Sequence, residues 1–138
     1  MHVNYTLDEG AFPPIHNYPE DAGSDICCKE DFVVPAHGSA ETDTGVHISV
    51  PKTYGGLLVS KSGLDVVLSV TSHGLIDAGF TGSIKVRIYN HADEPRHFKA
   101  GDKITQIVIV PIMFPVWTKA EKLEGGPRGD NGYGSTGR

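Results

Sequence analysis

The sequence predicts an all-β fold: a sandwich, jelly roll or closed barrel of about eight to ten short strands. Three observations carry that expectation. The 138-residue chain holds 17 glycines and 9 prolines, and punctuation this frequent leaves room only for short elements between turns. The stretches "ITQIVIV" and "SIKVRIY" are rich in β-branched residues, and the second alternates with period two. No window of a dozen residues repeats its apolar positions with the 3.6-residue period of an amphipathic helix. A chain of this length fits one domain, able to bury roughly two-thirds of its unfolded surface.

The elements follow in order. Residues 3–7 place Val, Tyr and Leu at alternate positions, and 24–28 form a short run between "AG" and "KED". Residues 32–34 are the apolar triplet Phe-Val-Val stopped by Pro35, and 41–50 end on Val46, Ile48 and Val50 at alternate positions before Pro51. Residues 56–59 are a short apolar strand. "KSGLDVV" could form one helical turn, with a strand expected over 66–71. Residues 82–89 and 103–111 are the two β-branched stretches, each opened by a glycine-containing turn. A last strand is expected over 116–122, with Trp117 packing in the core or at a subunit interface.

Composition narrows the function. A net charge of −5 disfavours a general nucleic-acid binder or an anionic-membrane binder, because both need a basic surface. A small anionic ligand held by a few local cations stays open. No stretch approaches the roughly 20 apolar residues of a membrane span. "MHVNYTLDEG" has neither the basic nor the apolar region of a signal peptide, so a cytoplasmic protein is expected. Cys27 and Cys28 are neighbours; a bridge between them would be strained, and they read as reduced thiols facing opposite sides of a strand. The histidines are scattered without metal-ligand spacing.

The tail "GGPRGDNGYGSTGR" cannot build a core, since glycine brings no apolar side chain and maximal backbone entropy. Backbone amides of such a segment can line a nest for phosphate oxygens. Arg128 adds a bidentate cation and Ser135 and Thr136 two hydroxyls, while Tyr133 offers a flat face for a base. "SKSG" at 60–63 is a second phosphate-friendly patch, and "GDKITQ" at 101–106 a third. "GLIDAGFTG" at 74–82 sets Asp77 at a turn. A lone aspartate there usually just serves its own turn, but beside three such patches it suggests phosphate-ester chemistry.

Five stretches in order resemble the five motifs of the trimeric dUTPases. They are "AGSDICC", "SKSGLD", "GLIDAGFTG", "GDKITQIVI" and "RGDNGYGSTG", together spanning nearly the whole chain. The resemblance implies a β jelly roll over residues 1–124 and a flexible glycine-rich arm over 125–138 that closes on an active site. It implies a homotrimer with sites shared between subunits, hydrolysing dUTP to dUMP and pyrophosphate with Mg²⁺ on the triphosphate. Asp77 would activate the water that attacks the α-phosphorus. Phe80, where Tyr is frequent, would lie under the deoxyribose and exclude a 2′-OH. Lys61 (in place of the usual Arg), Ser62, Gly63 and Gln106 match phosphate-contacting positions. Backbone groups of roughly Val70 to Gly74, Thr71 and Gly74 among the contacts, would read the uracil, with Thr71 where Asn is common. Asp25 would hold water around the magnesium. Arg128 would reach the γ-phosphate, Tyr133 would stack on uracil, and Gly134, Ser135 and Thr136 would hold the phosphate chain. The stretch between "SKSG" and "GLID" is shorter than usual for the family, and Gly79 replaces a second acid. Two alternatives accompany this reading: a dCTP deaminase-like relative, and a regulatory protein of the same fold that binds a protein partner.

Overall fold

The computed structural model describes residues 1–132. Ten strands and one π-helical turn follow one another: β1 Asn4–Leu7, β2 Ser24–Cys27, β3 Phe32–Val34, β4 Ser39–Asp43, β5 Val46–Ser49 and β6 Tyr54–Val59, then the turn Gly63–Val67. After it come β7 Val70–Ile76, β8 Lys85–Asn90, β9 Arg96–Phe98 and β10 Lys103–Pro111. A curled six-stranded antiparallel sheet has the order β2-β10-β6-β7-β8-β4, and two small sheets, β1-β5 and β3-β9, fold over it. This is the jelly-roll class expected from the motifs.

The core is made by alternation. In β8, Val86, Ile88 and Asn90 point inward while Lys85 and Arg87 point out, the period-two rule for a sheet wet on one face. Val86 and Ile88 form one contiguous apolar cluster with Ile26, Val34, Val46, Leu58, Val70, Ile84, Phe98, Ile104 and Ile107. Truncating any of the fully buried isoleucines to alanine would cost about 2–5 kcal/mol. Phe32 and Phe98 face each other across β3 and β9, rings stacked at 5.0 Å.

Several expectations need correction. The strand expected over 41–50 is two strands, β4 and β5. Gly45 breaks them at φ +64, its N–H bonded to Asp43 Oδ1 at 2.9 Å. The strand expected over 66–71 begins only at Val70 and runs on through Ile76, because "SGLDVV" winds into the π-helical turn. β9 is a strand the sequence does not predict, because Arg96-His97-Phe98 carries no β-branched residue and gains its pairing only from β3. No strand forms over 116–122 among the described residues, and Trp117 is 88% exposed, so it is not a core residue: the segment has no neighbouring strand to pair with. Cys27 and Cys28 are free and both buried, since the end of β2 is covered on each face; the Cys28 thiol donates to the Lys99 carbonyl at 3.0 Å.

Candidate functional site

One cluster of polar side chains gathers where β2, β10 and the end of β6 meet. Asp25 lies on β2 directly opposite Gln106 on β10, which in turn faces Val59 on β6. Facing residues in an antiparallel ladder share one side of the sheet, so Asp25 and Gln106 project together. Asp25 is only 4% exposed and is heavily bonded. Lys61 donates to Oδ1, Lys103 Nζ lies 2.9 Å from Oδ2, and Asn17 Nδ2 donates to Oδ2 at 2.8 Å. Burial alone would push the carboxyl up, but the hydrogen bonds from Lys61, Lys103 and Asn17 outweigh it and hold the group below the usual carboxylate range. The bond to Asp25 in turn raises the Lys103 ammonium.

Strict alternation would turn Lys103 away from Gln106, three residues on. A β-bulge between Lys103 and Thr105 inserts one extra residue against β2, and Lys103 pairs with Cys27. Cys27 shares the Asp25 side of its strand, so the bulge brings Lys103 to the same face. Gln106 is seated by two features: its Nε2 donates to the Ser60 carbonyl at 3.0 Å, and Gly23 leaves room for it, since a Cβ there would lie 2.6 Å from Gln106 Oε1. The Ser60 hydroxyl accepts from the Ser72 N–H and donates to the Ser72 carbonyl, at 2.9 and 3.1 Å. Ser72 Oγ donates to Thr105 Oγ1 at 2.9 Å and Thr105 to the Val59 carbonyl at 3.0 Å. This internal hydroxyl chain locks the start of "SKSG" to β7 and β10. Ser62 caps the π-helical turn without a side-chain bond to it, and the space above the Gly63 Cα is open to at least 4 Å. A backbone unshielded in this way can approach an anion closely.

A second group surrounds Asp77, the first residue after β7. The Phe80 N–H closes a turn onto the Asp77 carbonyl at 3.1 Å. Asp77, Ala78 and Leu75 line a cavity of 580 Å³ with Lys52, Tyr54 and Phe114. The Phe80 ring is 44% exposed and lies over Gly82, where a Cβ would come within 2.6 Å of Phe80 Cζ. β7 pairs with β8 only through Val70, Thr71 and Ser72. Beyond Ser72 the incoming strand is drawn elsewhere: Ile84 bonds Val46 and Thr44, and Lys85 and Val86 pair with β4. The β7 edge from His73 to Ile76 therefore lies open on its β8 side, a row of backbone donors and acceptors leading to Asp77. Gly74 lies within this row, where a Cβ would lie 3.2 Å from Leu58 Cδ1. Thr71 lies before it, within the paired part of β7, its hydroxyl 2.8 Å from His91 Nε2. His73 stacks on Tyr89 at 5.6 Å, a packing role rather than a base's position.

The fold thus unites Asp25, Lys61 and Gln106, with Ser62 and Gly63 following Lys61, and separately gathers Thr71, Gly74, Asp77 and Phe80. The two groups do not meet within one chain. Asp77 lies four residues beyond His73, which shares a row with Val59 and Gln106, so the offset along the strands is roughly 13 Å; three strand spacings, roughly 14 Å, separate β7 from β2. Arg128 sits in an exposed turn of the tail, where the Gly129 N–H bonds the Gly126 carbonyl at 3.0 Å. Tyr133, Gly134, Ser135 and Thr136 lie outside the described residues. Sequence reasoning passed over Lys103, Asn17, Ser72 and Thr105. Lys103 and Thr105 stood within a quoted stretch, but nothing marked Asn17. Among the described residues no three His, Cys, Asp or Glu side chains converge to hold a metal. Asp25 offers a single carboxylate, bonded to Lys61, Lys103 and Asn17.

Comparison with known proteins agrees across most of the chain. The dUTPase family model matches residues 11–137. A deoxyuridine 5′-triphosphate nucleotidohydrolase of Cutibacterium acnes is 37% identical over 128 residues, covering 90% of this chain and 84% of its own. One from Paramecium bursaria Chlorella virus 1 is 37% identical over 137 residues, covering 95% and 94%. Among solved structures, the dUTPase of Staphylococcus bacteriophage 80alpha with dUpNHpp superposes with a TM-score of 0.87 at 31% identity, covering 99% of each chain. A variant dUTPase from phage phi11 of S. aureus, described with a structural Mg(II) ion, gives 0.82 at 29% identity, covering 91% of this chain and 100% of its own.

Proposed function

The chain belongs to the dUTPase family and is a dUTP diphosphatase, and from that premise we propose how its residues divide the work. The observation that carries the reading is the open β7 edge running into Asp77. Uracil enters the gap that opens between β7 and β8 beyond Ser72, where the backbone of His73 and Gly74, the unpaired end of the 70–74 segment, reads its edge as a pairing partner would. Phe80 lies under the deoxyribose and leaves no space for a 2′-OH. Asp77 accepts a proton from a water, whose oxygen forms a bond to the α-phosphorus as the bridging bond to pyrophosphate breaks. The products are dUMP and pyrophosphate.

Positioning and charge neutralisation are most of the catalysis in such a transfer. Lys61, Gln106, Ser62 and the Gly63 backbone hold the phosphate chain, and Lys61 exchanges Asp25 for phosphate oxygens as the nucleotide arrives. Mg²⁺ bound to the triphosphate supplies further neutralisation of the leaving charge. Asp25, once released by Lys61, would hold water around that magnesium ion.

One chain cannot complete this site, since Asp77 and the Asp25 cluster are separated both along and across the sheet. A homotrimer, with a neighbour's cluster facing each Asp77, resolves the separation. The exposed apolar side chains Met113, Phe114, Val116, Trp117 and Leu123 suit a segment that leaves its own body for another copy, delivering Arg128 and the Tyr133–Thr136 stretch as a lid.

The direct experiment is pyrophosphate release from dUTP, UTP, dTTP and dCTP, with and without Mg²⁺. Release from dUTP alone, lost on chelation, is expected. Asp77→Asn should abolish turnover while nucleotide binding persists, and truncation before Arg128 should abolish it while the oligomer persists by sedimentation. Normal turnover by the truncated chain would refute the lid. Ammonia release from dCTP would move the assignment to a deaminase.

A further inference from the structure

The loop that joins Asp77 to β8 is tied near β8 by Ser83 to Asp43 and by Ile84 to Val46 and Thr44, and closer to Asp77, at Thr81, by a side chain outside all five motifs. His47 stands on β5 opposite Thr6 of β1. Its Nδ1 lies 2.8 Å from the Thr81 carbonyl, and its Nε2 lies 3.1 Å from Asp8 Oδ1. A peptide carbonyl and a carboxylate can only accept, so both contacts are hydrogen bonds only if both ring nitrogens carry protons. Geometry therefore selects the imidazolium.

We propose that protonated His47 is a positioning residue for the hydrolysis of dUTP, a strut that fixes the loop of Asp77 and Phe80 against the N-terminal strand. The inference rests on the function proposed above. Thr81 follows Phe80 directly and lies four residues after Asp77. A neutral ring can donate only one of the two bonds, so loss of the proton frees either Thr81 or the Asp8 anchor. Freed, Phe80 no longer holds one position under the sugar, and nucleotide binding weakens.

The charged groups acting on the ring are Asp8 and Asp43. Lys29 Nζ lies 3.8 Å from Asp8 Oδ2, and Tyr5 lines the same shallow cavity as His47 and Thr81. The bond to Thr81 first, then the bond to Asp8, raise the ring above the ordinary value of 6.5, against a smaller opposing effect of burial. A raised value means the strut is intact below 6.5 and is lost as pH rises through the folded-state value.

Two measurements test this. Ring nitrogen shifts by NMR should show His47 doubly protonated at low pH and losing one proton only at a pH above 6.5. KM for dUTP should rise across the same interval with smaller change in kcat. His47→Gln should raise KM about threefold to tenfold at pH 6.5, a loss of one charge-assisted hydrogen bond, and abolish the pH dependence. His47→Arg, with two donors and a permanent charge, should hold KM near the wild-type low-pH value at every pH. A ring that titrates at 6.5, or a His47→Gln enzyme with the wild-type KM profile, overturns the strut. A wild type that neither binds nor hydrolyses dUTP overturns the function and this role together, but leaves the ring titration to decide the imidazolium separately.

Discussion

Gly82→Ala isolates what holds the Phe80 ring. The φ of Gly82 lies outside the left-handed region, so alanine meets no backbone strain. The only obstacle is the ring, with Cζ at 2.6 Å and Cε2 at 2.9 Å from the new Cβ. Ordinary contact needs about 3.5–4.0 Å, so the ring must shift by roughly 1 Å. Phe80 is 44% exposed and can swing outward, so the stability cost should stay below about 1 kcal/mol, or under roughly 4 °C in Tm for a chain of this size. A displaced ring no longer fills the space under the sugar. Discrimination of this steric kind is worth about 1–3 kcal/mol per group, and the dUTP-to-UTP ratio of kcat/KM should fall about tenfold or more. Paired steady-state assays on the two nucleotides, with a melt of each protein, measure both quantities. An unchanged ratio in a folded variant would refute the assignment of Phe80 to sugar selection.

Further outcomes follow from other contacts. Gly23→Ala puts a Cβ 2.6 Å from Gln106 Oε1; calorimetry with a non-hydrolysable dUTP analogue should show binding weakened several-fold with little change in melting. Thr105→Val strands Ser72 Oγ beneath the sheet and should cost about 1–3 kcal/mol, read by denaturant unfolding. Burial pushes Asp43 up, but bonds from Ser83 and the Gly45 N–H outweigh it and leave the group below 3.8. The stability it contributes is present above 3.8 and lost as pH falls through the lower folded value, so the Tm gap between wild type and Asp43→Asn should close in that acid range.

The all-β class and most strands were legible in the chain, because alternation and turn residues are local signals. Asp77, Lys61 and Gln106 stand in phosphate-friendly stretches visible in the chain, whereas Phe80 and Asp25 were marked only by the resemblance to the dUTPase motifs. The extents of strands were less legible. Gly45 ends one strand by its φ, and β7 lengthens because β6 offers it a partner, which no local pattern records.

What the tertiary structure alone decided is which side chains meet. A one-residue bulge reverses the side to which Lys103 points, and a simple alternating reading sends it the wrong way. Asn17 reaches Asp25, and His47 reaches Thr81, across 8 and 34 positions of chain. Strand pairing brings such residues together through backbone bonds that are blind to side-chain identity, so no pattern in the sequence announces the contact. The division of the site into two distant halves has the same origin: residues read as one catalytic set are parted by sheet order, and sheet order is a property of the whole fold.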